Sequence, residues 1–330
     1  MSVIPPSRIM SRAEHGLADA AQRREAVLAG NGLTALWSVL TVLDLPAGAP
    51  VLLPDLAAER LAGAVALAGL SPIFVDVREQ TGMPTSADLA VAAASHSARA
   101  MVRCHLFGRR GRLPTPDPDC PQIVDATQCG VTARGLAGGL AAVLSFGPGR
   151  QLDLGTGGAV LTDDPALARE ARARIQGLER DGAGILRAAP PWLDARLTVA
   201  LAGHREDRRR RRARAQILRE DLAALPGITP LDLADEDVPW RVSLRVADRR
   251  AAVQRALAAA GLAPSTLVAP LHRLTGRADG EFPVASALAA ELVALDPTRL
   301  GEDPVATVRR ATTAVAAILD RPLRNEAVHA

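Results

Sequence analysis

The chain has 330 residues, of which 48% are hydrophobic and 23% are charged, so it is long enough for a substantial core and two lobes. Its net charge is only +3, and every one of its 39 basic residues is arginine, because the sequence contains no lysine. The basic isoelectric point therefore gives little support to a nucleic-acid partner. This composition also argues against a largely disordered chain.

The cysteines and the N-terminal sequence indicate the cellular compartment of the protein. The three cysteines Cys104, Cys120 and Cys129 have no metal-ligand spacing, and their odd number favours a reducing environment over a disulfide framework. The N-terminus lacks the long apolar core of a signal peptide, and no run of about 18 apolar residues occurs. We expect a soluble, cytoplasmic protein without a metal site.

Strands and helices alternate in the first part of the chain. A GNG turn precedes apolar residues at helical spacing, which predicts a loop that opens a helix within 26–43. The N–H groups at such a start suit a phosphate, although a simply capped helix is an equally open interpretation. Strand, helix and strand patterns at 50–56, 57–68 and 72–77 form a βαβ unit, which implies a parallel sheet.

The second part of the chain begins with a further buried strand, 98–106. We interpret His105 at its end as a hydrogen-bonded packing residue. A long helix, 199–225, contains the run Arg208–Arg212. Five consecutive arginines circle a helix, so no single face collects them all, which predicts solvated surface or a contact with an acidic partner. Phosphate-backbone binding is the less favoured alternative. After residue 226, strands and helices indicate a small C-terminal lobe.

The most informative stretch is 145–160, SFGPGRQLDLGTGGAV. An apolar run, 140–144, leads into it, and a short strand pattern, 158–161, leaves it. The pattern predicts strand, irregular loop, strand. A loop so rich in glycine can bring backbone close to a ligand or can simply form a hairpin.

Together with IVDATQCG at 123–130, this stretch resembles the signature of the DegT/DnrJ/StrS family, which runs D-x-x-Q, S-F-x-x-x-K and G-x-G-G-A. That family consists of fold-type-I, pyridoxal-phosphate-dependent aminotransferases that act mostly on nucleotide-linked keto-sugars. The resemblance extends in order over about 25–320. It implies an α/β fold with a mostly parallel central sheet in a large domain, 1–225, which ends in the long helix, and a small α+β domain, 226–330.

In this chain the family's Schiff-base lysine is replaced by Arg150. A Schiff base requires a neutral primary amine, which a lysine supplies once its pKa is lowered. A guanidinium stays protonated and is a poor nucleophile. We therefore predict that the chain cannot hold pyridoxal phosphate as an internal aldimine. Pyridoxal or pyridoxamine phosphate remains possible as a non-covalent ligand.

Three other positions of the signature are retained. By resemblance, Asp125 holds the pyridine nitrogen protonated, Gln128 contacts the cofactor or substrate, and Ser145 contacts the phosphate. The alternative is that Asp125 and Gln128 hold the sheet and loop together by hydrogen bonds.

Four further positions correspond to the family's cofactor site. Gly32, Leu33 and Thr34 resemble its phosphate-binding N-G-T-A-A-L, but Leu33 replaces the threonine and Thr34 follows one place later. Ala58 stands about where the family has the aromatic residue that stacks on the pyridine ring. A methyl group offers no ring face, so about 1 kcal/mol of stacking is lost.

Two residues are candidates for substrate or interface contacts. Arg196 lies in WLDARLT, which resembles N-Y-R-M, a loop that commonly reaches the site of a neighbouring subunit. His272 lies in a P-L-H motif that the family shares.

Three functions stay open. The chain is a non-transaminating pseudoenzyme or partner subunit in a sugar or natural-product pathway, as a homodimer or as a heterodimer with a lysine-bearing paralogue. Alternatively, it is a redirected enzyme that uses non-covalent pyridoxal or pyridoxamine phosphate, with Arg150 clamping a phosphate or carboxylate. The third possibility is a cofactor-free module that binds a nucleotide-sugar or another anion.

Overall fold

A computed structural model describes residues 10–110, 117–132, 136–179, 184–234, 237–266 and 268–320. The strands in these ranges are β1 Glu25–Ala29, β2 Pro50–Pro54, β3 Leu56–Ala57, β4 Ser71–Val75, β5 Ala100–Cys104, β6 Gln122–Asp125, β7 Ala141–Ser145, β8 Gly158–Thr162, β9 Ile228–Pro230, β10 Val242–Val246, β11 Ala269–Pro270 and β12 Leu292–Leu295. The α-helices are α1 Arg12–Ala21, α2 Gly32–Val42, α3 Arg60–Leu67, α4 Ser86–His96, α5 Pro165–Gln176, α6 Leu193–Ala223, α7 Arg250–Ala259, α8 Pro283–Glu291 and α9 Pro304–Leu319.

The main sheet has the strand order β1-β8-β7-β6-β5-β2-β4. Its strands from β4 through β2, β5 and β6 to β7 pair in parallel, whereas β8 runs antiparallel to β7 and β1. Helices flank the sheet, which confirms the predicted α/β class and the mostly parallel sheet. Parallel strands end at the same edge, so the residues that follow β2, β6 and β7 are brought together there.

A second core lies after the long helix. The antiparallel sheet β12-β10-β9 packs with α7, α9 and the end of α6 around fully buried side chains such as Leu218, Leu244 and Val308. A two-stranded pair joins β11 to β3, with Ala269 opposite Ala57. This pair ties the C-terminal part of the chain to the edge where β2 ends.

Two elements near the N-terminus were not predicted. Helix α1 begins with a capping box, in which the Ser11 hydroxyl accepts the Glu14 N–H and the Glu14 carboxylate accepts the Ser11 N–H. Strand β1 follows it and pairs with β8. The Glu14 carboxylate is buried, accepts the Leu28 N–H at 2.9 Å and pairs with Arg172 at 2.7 Å, which fixes α1 against the sheet.

Helix α6 begins earlier than predicted. The expected loop at 192–198 is helical from Leu193 onwards, because Leu193 and Leu197 recur at helical spacing and are both fully buried in the core beside β8. Asp194 in the first turn accepts the Ala13 N–H at 2.9 Å, which ties this end of α6 to α1.

The arginine run is not uniformly solvated, in contrast to the prediction. Arg211 is only 8% exposed, and its Nη1 donates to the Trp240 carbonyl at 3.0 Å and lies 3.4 Å from an Asp296 oxygen. Arg208 is half-buried and donates to the Val131 carbonyl, whereas Arg209 is exposed. Residues three apart lie on the same face of an α-helix, so Arg208 and Arg211 both face the protein interior while Arg209 faces solvent.

Buried His204 makes the stability of the protein depend on pH. Its Nε2 accepts the Val131 N–H at 2.9 Å, while burial, and secondarily the charge of Arg208, lowers its pKa to about 4. The unfolded imidazole binds a proton near pH 6.5 and the folded one does not, so stability is lost as the pH falls from about 6.5 to about 4. The loss for this group is about 3 kcal/mol.

We expect His204→Gln to show a smaller loss of unfolding free energy than the wild type between these pH values, measured by urea denaturation. The control is His96→Gln, which removes an exposed imidazole at the end of α4. Equal pH dependence in all three proteins would contradict the assignment.

No helix in the described ranges is both long and apolar enough to cross a bilayer. The same ranges contain no group of His, Cys, Asp and Glu side chains that is suited to hold a metal ion.

Candidate functional site

A cavity of about 340 Å³ lies at the carboxyl edge of the main sheet. Its wall combines the start of α2, the start of α3, the ends of β6 and β7, and the loop after β7. Six residues that the sequence placed at a candidate site line it: Gly32, Leu33, Ala58, Asp125, Ser145 and Arg150. Open α/β sheets bind ligands at this edge.

The start of α2 is held tightly against the glycine-rich loop. Asn31 caps the helix by accepting the Thr34 N–H at 2.8 Å. A Cβ on Gly32 would lie 2.9 Å from the Cβ of Ser145, and one on Gly158 would lie 2.5 Å from the Asn31 backbone carbon and oxygen. Glycine is therefore required at both positions, and the first free N–H groups of α2 lie at the cavity wall, where they suit an anion.

Asp125 closes β6 with its carboxylate at the cavity. One oxygen accepts the Thr127 N–H at 2.9 Å, and the other lies 3.6 Å from the Cys104 sulfur. Burial, and secondarily the charge of Asp125, raises the pKa of the Cys104 thiol well above its ordinary value. The thiol therefore stays protonated and donates to the carboxylate, which keeps Asp125 fixed as the acidic wall of the cavity.

Arg150, which the resemblance to the family signature sets at the lysine position, lies in the loop after β7. Its guanidinium carbon lies 4.7 Å from the ring centroid of Trp240, within cation–π distance. Trp240 in turn donates its indole N–H to the Gly149 carbonyl at 2.6 Å, so the ring and the loop hold each other. Burial, and secondarily the charge of Arg60, lowers the pKa of Arg150, while Asp125 opposes this shift. The Nη1 atom of Arg150 is buried and has no hydrogen-bond partner among the described residues.

Two more arginines line the same cavity. Arg60 is exposed at the first turn of α3. Arg187 is half-buried; its N–H donates to the Thr34 hydroxyl, and its buried Nε lacks a partner in the described part of the chain. Three guanidinium groups therefore face one carboxylate, that of Asp125, and the cavity carries a net positive charge. An anionic ligand would supply what the two buried N–H groups lack.

Two of the predicted cofactor residues do not reach the cavity. The Thr34 side chain is fully buried, and its hydroxyl accepts the Arg187 N–H at 3.1 Å. The Gln128 side chain is also buried, and its amide oxygen accepts the Phe107 N–H at 2.5 Å. For Gln128 the structure favours the alternative reading, in which the side chain holds a loop by hydrogen bonding.

The two predicted substrate or interface residues also lie outside the cavity wall. Arg196 is exposed on α6, with its guanidinium 5.2 Å from the Trp192 ring centroid. His272 is fully buried: Nδ1 lies 2.7 Å from an Asp55 oxygen and Nε2 lies 3.0 Å from an Asp279 oxygen. Its ring also stacks on Phe282 at 4.7 Å between centroids. These contacts engage both ring nitrogens and one ring face and hold His272 beside the end of β2.

Sequence reasoning missed three residues of the site, namely Arg60, Arg187 and Trp240. Arg187 lies in a segment without regular periodicity, and Trp240 opens an alternating strand pattern, 240–246, so neither was marked as a site residue. Arg60 lies in the predicted helix 57–68, whose pattern gave no reason to single it out. The one available signal was the absence of lysine, which leaves arginine to provide the cationic side chains of any anion site.

Comparison with known proteins agrees with this geometry. A profile of the DegT/DnrJ/EryC1/StrS aminotransferase family matches residues 8–311. The chain belongs to this family. It is 32% identical over 300 residues to the erythromycin biosynthesis sensory transduction protein EryC1 of Saccharopolyspora erythraea, covering 83% of this chain and 81% of that one. It is 31% identical over 293 residues to the dTDP-3-amino-3,4,6-trideoxy-alpha-D-glucose transaminase of Streptomyces venezuelae, covering 82% and 77%.

Solved structures of similar proteins share the fold. The S. venezuelae DesV structure in complex with a ketimine intermediate aligns with a TM-score of 0.78 at 25% identity, covering 96% of this chain and 92% of that one. The putative sugar aminotransferase Spr1654 of Streptococcus pneumoniae in its PMP form aligns with a TM-score of 0.79 at 17% identity, covering 93% and 90%. Of these similar proteins, the S. venezuelae relative is described as a sugar transaminase and Spr1654 as a putative sugar aminotransferase, whereas EryC1 is described as a sensory transduction protein.

The family depends on pyridoxal phosphate, and the cavity fits that group in part. The start of α2, Ser145 and the buried N–H groups of Arg150 and Arg187 would hold a phosphate, and Asp125 would face a ring nitrogen. When bound, the protonated ring would supply an electron sink. The cavity offers no amine for a covalent bond to the cofactor aldehyde, because the sequence contains no lysine.

Proposed function

We propose that this chain is a non-transaminating member of the sugar aminotransferase family, serving as a pseudoenzyme or partner subunit in sugar or natural-product biosynthesis. In this proposal the retained cavity binds a phosphate-bearing ligand without a covalent bond. The observation that carries the proposal is the side chain of Arg150. It stands at the lysine position, lies over Trp240, and presents a buried N–H that has no partner among the described residues.

The chemistry of this side chain supports the loss of transamination. Transamination in the family requires an amine that bonds to the cofactor and then carries protons. A guanidinium does neither near neutral pH, since it remains protonated even where burial lowers its pKa. The same fork of N–H groups is well suited to phosphate or carboxylate oxygens. The substitution therefore replaces a reacting group with an anion-binding group.

A second candidate function is a redirected enzyme that uses pyridoxal or pyridoxamine phosphate non-covalently. Asp125 favours it, because a fixed carboxylate at the cavity wall is what a pyridine nitrogen requires and a phosphate does not. A nucleotide-sugar bound without cofactor remains the third possibility.

Absorbance and binding measurements distinguish these functions. We expect that pyridoxal phosphate produces no absorbance band of a covalent bond, and that borohydride reduction leaves no labelled side chain by mass spectrometry. Saturable binding of pyridoxamine phosphate by calorimetry would favour the redirected enzyme. Stabilisation by a nucleotide-sugar alone would favour the cofactor-free module. A pyridoxal label on a side chain of the wild-type chain would contradict all three.

The variant Arg150→Lys tests whether restoring the lysine alone allows a covalent bond to pyridoxal phosphate. We expect no site-specific covalent band, because Leu33 supplies no hydroxyl and Ala58 supplies no ring face to hold the cofactor. The matched control is Arg196→Lys, which places an exposed lysine outside the cavity and measures adventitious labelling. A band that appears in Arg150→Lys alone would contradict this expectation.

The partner-subunit role is tested by co-expression with a lysine-bearing family member. A heterodimer, identified by size-exclusion chromatography and native mass spectrometry, would support it. A homodimer that turns over a sugar substrate unaided would contradict it.

A further inference from the structure

A second basic cavity lies beside α6, separate from the one described above. It has a volume of about 340 Å³ and shares no lining residue with the first cavity. His204, Arg208, Arg211 and Arg214 line it from one face of the helix, and Gln151 lines it from the loop after β7. The inward part of the arginine run therefore borders this cavity, although Arg211 also lies 3.4 Å from an Asp296 oxygen.

The charge of this cavity is poorly compensated. Of its lining residues, Asp207 is the single acid, and it already pairs with Arg210. Arg208 donates to the Val131 carbonyl, and Arg214 donates to the carbonyls of Thr298 and Gly301. Within the described ranges, neither Arg208 nor Arg214 has a carboxylate partner. Two guanidinium charges are therefore left for a ligand.

Two buried donors belong to side chains that line this cavity. His204 is 5% exposed, and its Nε2 accepts the Val131 N–H, so the proton of the neutral ring sits on Nδ1. That Nδ1 and the Nε of Arg208 are buried and have no partner in the part of the chain that the structure describes. Each would gain a hydrogen bond from an acceptor-rich ligand.

The same cavity is also lined by a residue with a buried hydrogen-bond acceptor, Gln151. The Gln151 amide nitrogen donates to the carbonyls of Gln128 and Val238, which fixes the orientation of the amide. Its oxygen is buried and lacks a donor among the described residues. An anion without a hydroxyl group would leave this oxygen unsatisfied, whereas one with a hydroxyl would donate to it.

We propose that this second cavity binds a phosphate group that carries or adjoins a hydroxyl donor, as in inorganic hydrogen phosphate or a phosphorylated polyol. The guanidinium groups and the buried N–H groups of His204 and Arg208 bind the phosphate oxygens. The Gln151 oxygen accepts the hydroxyl. The site rests on none of the residues that carry the proposed function.

Calorimetry with three probes tests the site: inorganic phosphate, inorganic sulfate and glycerol phosphate. We expect phosphate to bind at least about tenfold more tightly than sulfate, since sulfate has no hydroxyl at neutral pH for the Gln151 oxygen. Tighter binding of glycerol phosphate than of inorganic phosphate would identify an organic ligand, and the reverse would identify the free ion. Equal binding of phosphate and sulfate would overturn the proposal.

A matched pair of variants locates the binding. Arg208→Gln/Arg214→Gln removes the two uncompensated charges, and Arg209→Gln/Arg212→Gln removes two exposed charges from the same helix. We expect at least about a tenfold loss of phosphate affinity in the first variant and less than a twofold change in the second. Equal losses in both would overturn the proposal.

Two controls keep the outcome interpretable. Arg187→Gln alters the first cavity alone, so the preference for phosphate over sulfate is expected to survive in it even if the proposed function is wrong. If the double variant fails to fold by circular dichroism, Arg214→Gln is compared with Arg212→Gln. Crystals of the wild type soaked in phosphate are expected to show density in the second cavity, and an empty cavity at saturating phosphate would overturn the proposal.

Discussion

Replacing Gly158 with alanine is expected to lower the free energy of unfolding by at least about 3 kcal/mol, the range of severe overpacking. A Cβ at this position would lie 2.5 Å from the carbon and oxygen of Asn31 and 2.7 Å from the Gly32 nitrogen. These are backbone atoms at the start of α2, so they can give way only if the whole helix start moves. That start forms one wall of the first cavity, and ligand binding is expected to be lost as well.

Gly203→Ala is the matched control. Gly203 lies inside α6, and a Cβ there would meet no atom within 4 Å. Alanine is the better helix former, so this variant is expected to gain about 0.5–1 kcal/mol. Urea denaturation of both variants gives the comparison. A Gly158→Ala protein as stable as Gly203→Ala would contradict the tight contact between β8 and α2.

Trp240→Ala is expected to cost about 3–5 kcal/mol of unfolding free energy, as for other buried tryptophans. Its side chain is 5% exposed and donates to the Gly149 carbonyl. The guanidinium carbons of Arg150 and Arg241 lie 4.7 Å and 4.3 Å from its ring centroid. Removing the ring leaves Arg150 without support, so the anion affinity of the first cavity is expected to fall at least about tenfold.

The control for this change is Trp192→Ala. Trp192 also lies under an arginine, Arg196, but its side chain is 42% exposed and makes no capping hydrogen bond. We expect this variant to lose less than about 1 kcal/mol and to keep its anion affinity. Chemical denaturation and calorimetry measure both quantities. If the two tryptophan variants behave alike, Trp240 does not support the Arg150 loop.

The sequence was sufficient for those parts of the site that lie where parallel strands end. The resemblance to the family signature marked Asp125, Ser145 and Arg150. The structure places all three at one edge, because Asp125 and Ser145 each close a strand of the parallel sheet and Arg150 follows in the loop after β7. The start of α2 was recognisable from its glycine turn for a similar reason. In these cases local patterns and the topology of the sheet carry the same information.

The remaining contacts depended on groups far apart in the chain. The imidazole of His272 is held by Asp55, 217 residues away, and no local pattern links them. Gln128 bonds to the Phe107 backbone, which becomes possible only once β5 and β6 are paired. The inward face of α6 was missed because a run of identical residues has no periodicity of its own. Its orientation is set by the carbonyls of Val131 and Trp240.

The indole that holds the Arg150 loop also makes the first cavity accessible to optical measurement. The chain contains three tryptophans and no tyrosine, so its tryptophan emission comes from three indoles without overlap from tyrosine. Of these, Trp37 lies in the middle of α2 and donates to the Leu67 carbonyl, and Trp192 lies on the surface, whereas Trp240 lies directly against a cavity-lining guanidinium. A ligand that draws Arg150 away from the ring changes the emission of one fluorophore, without any label.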